Sequence, residues 1–306
     1  MSDLEEAYKF LAEHEYEAAR NIAQKLISED DADGFLLKTD IHHQLEEWKE
    51  ALHTLETAVE QFPKNWIFWM RLGNYQSDFD AFEDATYSLE RALYLSGADV
   101  PLIKMNKATL ALRMHDYASL QRLLPEVQES YPFGALQIEL AALVEQEAYV
   151  EAVNRFEEAF PDQYAEEESL VVAEIFYLVA LACHMMEDEK HAGDFLQAAL
   201  LEDRSNQRAL WLRRKMYGKI HAENRYFQIM ISGIWPEGKG VGFFTNYHVV
   251  AQDEAAAFAI IKAFEPNELN VETFKVEEIE ELDIESGLDY PDGIYRTGEF
   301  FTYQPE

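Results

Sequence analysis

Nine histidines and one cysteine, Cys183, are the residues of this 306-residue chain from which metal or thiol chemistry would have to be built. Two imidazoles hold one ion from a single helix when they stand three or four residues apart, as in His-x-x-x-His or His-Glu-x-x-His. No pair here has that spacing: His42 and His43 point to different sides of a helix, and Cys183 diverges from its neighbour His184. A lone cysteine forms no internal disulfide, no Cys-rich zinc site and no redox pair, so neither a metal nor any other cofactor is expected. Gly238-Lys239-Gly240-Val241-Gly242 looks like a phosphate cradle, but a cradle needs a helix N-terminus behind its glycines and a strand-like run follows instead. It reads as a flexible loop between strands. The remaining polar cluster is Thr245, Asn246, Tyr247, His248, Tyr295 and Arg296. Strand alternation puts Thr245 and Tyr247 on one face and Asn246 and His248 on the other, which splits any site built from them. A solvated sheet face is the simpler reading. No catalytic residue is expected, and an enzyme acting near Tyr247 and His248 ranks last of three functional readings.

The elements that would position such residues come from an internal repeat. The series Trp48, Ala51, Leu55, Ala58, Pro63 returns 34 residues later as Phe82, Ala85, Leu89, Ala92, Gly97. The same frame recurs at Tyr117, Leu120, Leu124, Val127, Pro132 and at Tyr149, Ala152, Phe156, Ala159. It extends backward to Tyr16, Ala19, Ala23, Leu26 and forward to Ala192, Leu196, Ala199. An aromatic residue, a small one three on, an apolar one four on and another small one three on is helical spacing, with the small residues where two helices approach closely. A second apolar helical stretch precedes each aromatic, seen best in Trp66-Ile67-Phe68-Trp69-Met70-Arg71-Leu72-Gly73. One helix pair cannot bury its apolar stripe alone and must stack on neighbours.

Trp69, Leu72, Gly73, Ala85 and Ala92 together resemble the tetratricopeptide repeat (TPR), and the resemblance covers about residues 1 to 205. It implies a right-handed superhelix of about six helix pairs, with an inner groove lined by the first helix of each pair. Asn206 to Lys219, carrying Leu210, Leu212 and Met216 with several basic residues, reads as a capping helix. Projected inward, the first-helix positions are Asp33, Asp40, His43, Met70, Asn74, Asp78, Met105, Thr109, Arg113, Gln137, Tyr177, His184 and Met185. A groove of polar residues and flexible methionines suits an extended peptide or a partner helix better than a small metabolite. TPR proteins that grip a peptide carboxylate do so with Lys, Asn and Arg. The nearest residues are Arg71, Asn74, Lys104, Lys107 and Arg113, but the Lys-x-x-x-Asn arrangement is absent, so that activity is not carried over.

After about Ala222 the period changes from helical to strand-like. Strands are expected at Arg225 to Ile231, Val241 to Val250, Val271 to Val276 and Gly293 to Tyr303, with a helix from Glu254 to Phe264 capped by Asp253. The acid-rich Glu277 to Glu285 segment is either an edge strand or a solvated loop. The expected architecture is thus mainly α, with a TPR-like helical domain over residues 1–221 and a small α+β domain (ββαββ) over 222–306.

Charge bears on the partner. The chain carries 59 Asp and Glu against 25 Lys and Arg, a formal net charge of −34. The excess is spread over both parts: 17 acids against 5 Lys and Arg after Ala222, and 42 against 20 before it. Such a surface opposes direct binding to nucleic acid or to an anionic membrane. The first residues, Met1-Ser2-Asp3-Leu4-Glu5-Glu6, show neither a basic nor an apolar targeting segment, and a cytoplasmic location is expected. The apolar run from Ser169 to Met186 reads as a buried helix rather than a membrane span. The leading functional expectation is a non-enzymatic scaffold that binds a peptide or protein in the groove, a basic partner being the sharper reading of the charge. The alternative is an acidic immunity or inhibitor protein that neutralises a basic toxin or nuclease.

Overall fold

The computed structural model describes residues 2–161, 163–165, 168–236, 241–265, 269–283 and 290–304. Contacts divide the chain into two compact units, Met1–Ala142 and Leu143–Glu306. In the first, α1 (Asp3–Ala12) and α2 (Tyr16–Ser28), α3 (Ala32–Gln44) and α4 (Trp48–Gln61), α5 (Trp66–Asp78) and α6 (Phe82–Leu93), and α7 (Val100–Arg113) and α8 (Tyr117–Gln128) form successive pairs. Helix α9 (Pro132–Glu145) opens the next pair, and the division between units falls near its end.

The repeated small residues carry the packing. Ala19, Ala51, Ala58, Ala85 and Ala92 are wholly buried, as are Leu55 and Leu89 between them. Gly73 belongs to the same device: a Cβ there would lie 2.8 Å from Leu89 Cγ, so α5 and α6 touch through bare backbone. The first helices α3, α5 and α7 are capped by the side chains of Asp31, Asn65 and Asp99.

Each turn inside a pair ends its first helix in the same way. His14, Glu46, Asp80, His115 and Glu147 adopt positive φ of 55 to 60°. The N–H of the following residue reaches back five residues, as from Glu47 to His42 O at 2.8 Å and from Ala81 to Gln76 O at 2.8 Å. This is the Schellman closure, which satisfies the last carbonyls of a helix. The strained position is usually glycine but here is His, Asp or Glu, so no Gly marks these turns in the sequence.

The second unit continues with α10 (Tyr149–Ala159), α11 (Ser169–Met185), α12 (Glu189–Glu202) and α13 (Gln207–Tyr217). Glu187, at φ 63°, closes the turn between α11 and α12. Among the described residues no helix is long and apolar enough to cross a membrane; α11 is instead largely buried in this unit. Asn206 caps α13 through Ala209 N–H, in the place expected of a capping helix.

A five-stranded antiparallel sheet follows, made of β1 (Arg225–Ile234), β2 (Gly242–Ala251), β3 (Lys275–Leu282), β4 (Gly293–Thr297) and β5 (Phe301–Tyr303). Its order is β3-β1-β2-β4, with β5 also paired to β2. Helix α14 (Glu254–Phe264), capped by Asp253, packs on β2 and β4. The expected small α+β fold is present, with three local differences. β1 runs through Ser232-Gly233, because Gly233 leaves room for the Phe243 ring that a Cβ would strike at 2.4 Å. Val271–Thr273 is a short 3-10 turn rather than a strand, and the strand is the acid-rich Lys275–Leu282. The last expected strand is two, broken where Gly298 N–H turns to Asn246 O at 2.6 Å. Gly238 to Gly240, the glycine-lysine-glycine of the cradle-like motif, lie outside the described residues, as does Glu285.

The change of period near Ala222 marks where helix gives way to strand, not where contacts thin. Arg214 donates from Nη1 to Ile294 O at 2.6 Å. Lys219 N–H reaches Asp292 Oδ1 at 2.6 Å, and Asp292 N–H returns to Lys219 O at 2.9 Å. Sheet and preceding helices therefore share one unit.

Candidate partner-binding surface

In residues 1–142 the first helices α1, α3, α5 and α7 are joined by a ladder of polar contacts between positions one repeat apart. Tyr8 donates its hydroxyl to Asp40 Oδ2 at 2.8 Å, and Arg71 Nη1 reaches Asp40 Oδ1 at 2.5 Å. His43 Nδ1 lies 2.9 Å from the Tyr75 hydroxyl, and Trp48 meets the His43 ring edge-on at 4.8 Å. Arg113 donates to Asp78 at 2.8 Å and to Asp80 at 3.2 Å. Burial, together with the bond to Asp40, pushes the Tyr8 hydroxyl well above its ordinary value, so Tyr8 stays a donor at any physiological pH.

Asn74 stands on α5 between Arg71 and Asp78, half-buried, and its amide makes no hydrogen bond among the described residues. Gln137 on α9 is likewise half-buried. Met70 packs against Ala85, Leu89 and Leu110, and Met105 packs beside Ala108 and lies against Gly134. Thr109 bonds its own helix, to Met105 O at 3.2 Å. Asp33 is half-buried near the start of α3, where its N–H donates to Asp31 Oδ1 at 3.0 Å. In this unit the expected residues lie on the first helices α3, α5, α7 and α9, and Asp40, Asp78 and Arg113 are each engaged in an ion pair.

Three expected residues belong to residues 143–306 and are differently placed. Tyr177 is buried, 5% exposed, with the Arg208 guanidinium 4.5 Å above its ring; it is a packed residue rather than an open contact. His184 Nδ1 lies 3.0 Å from Glu189, while its neighbour Met185 is exposed.

No family model matches this sequence, and no curated protein matches it. Solved structures do. PilW, a widely conserved type IV pilus biogenesis factor, superposes with a TM-score of 0.54 at 10% identity, over 69% of this chain and 96% of that one. A tetratricopeptide repeat protein from Parabacteroides merdae gives 0.54 at 14% identity, over 70% and 84%. The Cut9–Hcn1 hetero-tetramer structure of the APC/C gives 0.51 at 12%, over 70% of this chain and 45% of that one. The helical part has the TPR-like fold.

Within that TPR-like fold, the cations that a carboxylate clamp would need are already neutralised. Arg71 faces Asp40, Lys104 faces Glu126, Lys107 lies 3.6 Å from Glu90, and Arg113 holds both Asp78 and Asp80. The surface is therefore polar with a surplus of carboxylate rather than a cationic grip.

The sheet separates its polar residues as strand alternation predicts. Thr245 and Tyr247 point into the core and are buried. Tyr247 donates to Glu265 at 2.5 Å, and Thr245 donates to Gly298 O at 3.0 Å. Arg204 completes this network, pairing with Glu265, donating to Tyr247 at 2.9 Å and stacking 4.0 Å over the Phe300 ring. Neither Arg204 nor Glu265 was legible as a site residue, because they stand 61 positions apart and neither lies in a motif. On the opposite face His248 Nδ1 lies 3.2 Å from the Tyr226 hydroxyl, and burial, with Arg296 nearby, holds its imidazole below the ordinary value. Cys183 is buried and its thiol is pushed up to about 11, mainly by burial, the reverse of what a nucleophile requires. Among the described residues no group of three His, Cys, Asp or Glu could hold a metal.

Proposed function

We propose that this protein is a non-catalytic interaction scaffold, whose first-helix surface in residues 1–142 receives an extended peptide or a helix of a partner protein. The observation that carries the reading is Asn74. Its unbonded amide lies between the Arg71–Asp40 and Arg113–Asp78 pairs, where it can donate to and accept from a partner's backbone as a free edge residue would. The rest of the expected surface, Asp40, His43, Met70, Asp78, Met105, Thr109, Arg113 and Gln137, supplies polar contacts with two adaptable thioethers beside them. TPR-like neighbours such as Cut9, solved in a hetero-tetramer with Hcn1, support a protein as the partner class. The carboxylate surplus favours a partner segment with basic residues.

The non-catalytic part of the reading is supported by the split of Tyr247 from His248 across the sheet and by the inert surroundings of Cys183. Residues 222–306 then serve as a second surface packed against α13.

The test is affinity capture from the source lysate with wild-type protein and with Asn74→Ala, eluted in salt steps. Asn74→Ala should lower capture of the main partner at least about fivefold while leaving helical circular dichroism unchanged, the scale of losing one or two interfacial hydrogen bonds. Equal capture by the two proteins would remove the surface assignment.

A further inference from the structure

Three cations converge on one concavity of this otherwise acidic chain. The cavity, about 340 Å³, lies between the end of α13, the end of α14 and β4, and is lined by Arg213, Arg214, Lys219, Tyr217, Phe264 and Ile294 among others. Its single lining acid, Asp292, is already bonded by Lys219 N–H at 2.6 Å. The side chains of Arg213, Arg214 and Lys219 pair with no carboxylate among the described residues, unlike those of Arg71, Arg113 and Arg204. Arg213 instead makes only long bonds to neutral acceptors, Gln197 Oε1 at 3.3 Å and Ala263 O at 3.5 Å. Arg214 bonds Ile294 O and lies 3.9 Å over the Tyr295 ring. Two half-buried guanidiniums without counter-charge are costly to keep in place, and burial disfavours the charged form of both.

We propose that this concavity binds a monoanionic organic carboxylate with an apolar body. A planar guanidinium fork matches a carboxylate, and Ile260, Phe264 and Ile294 give an apolar wall for what the carboxylate is attached to. A phosphate fits less well. The local N–H groups are spent, Gly218 on Arg214 O and Lys219 on Asp292. Both helices also present their C-terminal ends here, whose partial negative charge opposes a multiply charged anion. Close backbone approach builds the wall: a Cβ on Gly293 would lie 2.9 Å from Arg214 Cγ, and one on Gly218 2.6 Å from Asp292 O. The site is independent of the first-helix surface proposed above.

The experiment is calorimetric titration of the full chain with 3-phenylpropionate, its neutral amide and inorganic phosphate at fixed ionic strength. The acid should bind saturably at one site, with the amide and phosphate each at least about tenfold weaker, as expected when a charge-assisted pair is lost. Arg213→Gln should weaken the acid at least about tenfold and leave the amide unchanged. Lys219→Gln, an exposed change that spares the fold, should weaken the acid about threefold. No saturable binding of the acid up to about 10 mM, a range that already spans weak fragment affinities, would overturn the proposal. So would equal binding of acid and amide, tighter binding of phosphate, or an affinity untouched by both substitutions.

Discussion

Arg204 closes on Glu265 beneath the sheet, and the Glu265 side chain, 2% exposed, also receives the Tyr247 hydroxyl at 2.5 Å. The pair ties the segment after α12 to the segment after α14, and Thr297 Oγ1 adds a bond to Arg204 O at 3.0 Å. Breaking one partner leaves an uncompensated charge in the core, which costs more than the pair itself contributes.

Glu265→Ala should therefore lower stability by about 3 kcal/mol, whereas Arg204→Met with Glu265→Leu should come within about 1 kcal/mol of wild type. Urea unfolding of the three proteins measures both. A double variant as unstable as Glu265→Ala would mean that the ion pair contributes net stability and not only local order.

Alkaline pH should weaken the second unit through its tyrosines. Burial, reinforced by the Glu265 charge, pushes the Tyr247 hydroxyl far above its ordinary value, and burial pushes Tyr295 up to about 12. A folded value above the unfolded one means the contribution is intact below about pH 10, the unfolded tyrosine value, and is lost as pH rises beyond it. The urea midpoint should fall modestly from about pH 9, where the unfolded Cys183 thiol ionises, and more steeply above about 10. Tyr247→Phe should start from a lower midpoint and fall less steeply. An equal alkaline slope in that variant would exclude Tyr247 as a source of the decline.

Gly73→Ala sets helix propensity against packing. Alanine is the better helix former by about 1 kcal/mol, yet its Cβ would sit 2.8 Å from Leu89 Cγ and 3.2 Å from Ala85 O. Overpacking of that kind costs about 1 to 3 kcal/mol, so a net loss of about 1 kcal/mol is expected. A stabilised variant, read from the same urea curves, would show that α5 and α6 can move apart freely.

The intra-pair turns give the opposite sign. Glu46 and Glu187 hold φ of 57° and 63° without being glycine. Replacing either by Gly should raise stability by about 0.5 to 1 kcal/mol, since a side chain at left-handed φ costs about 1 to 2 kcal/mol and glycine's extra chain entropy offsets part of the gain. Glu50→Gly, inside α4, should instead cost about 1 kcal/mol. Thermal midpoints of the three variants decide the matter, and a destabilised Glu187→Gly would count against strain at that turn.

What the sequence by itself determined is the part whose signal is local and repeated. Trp48, Ala51, Leu55 and Ala58 occupy one helix turn after another, so their spacing carries the buried face without any knowledge of a partner helix, and recurrence multiplies a weak pattern into a clear one. Asp253 and the apolar run after it mark α14 for the same reason. What only the tertiary structure decided is the part that joins distant residues or hides its periodicity. β3 is an edge strand exposed on both faces, so Lys275–Leu282 shows no alternation of apolar and polar residues, and its glutamates read equally well as loop. Tyr177 shares the helical position of open surface residues, yet Arg208 of a later helix covers it. Arg213 and Arg214, which belong to a capping helix by sequence, turn out half-buried against α14 and β4. Arg204 finds Glu265 across 61 residues. Spacing along one helix or strand cannot encode such meetings, because they are fixed by how several elements pack at once and by which charges that packing leaves out of water.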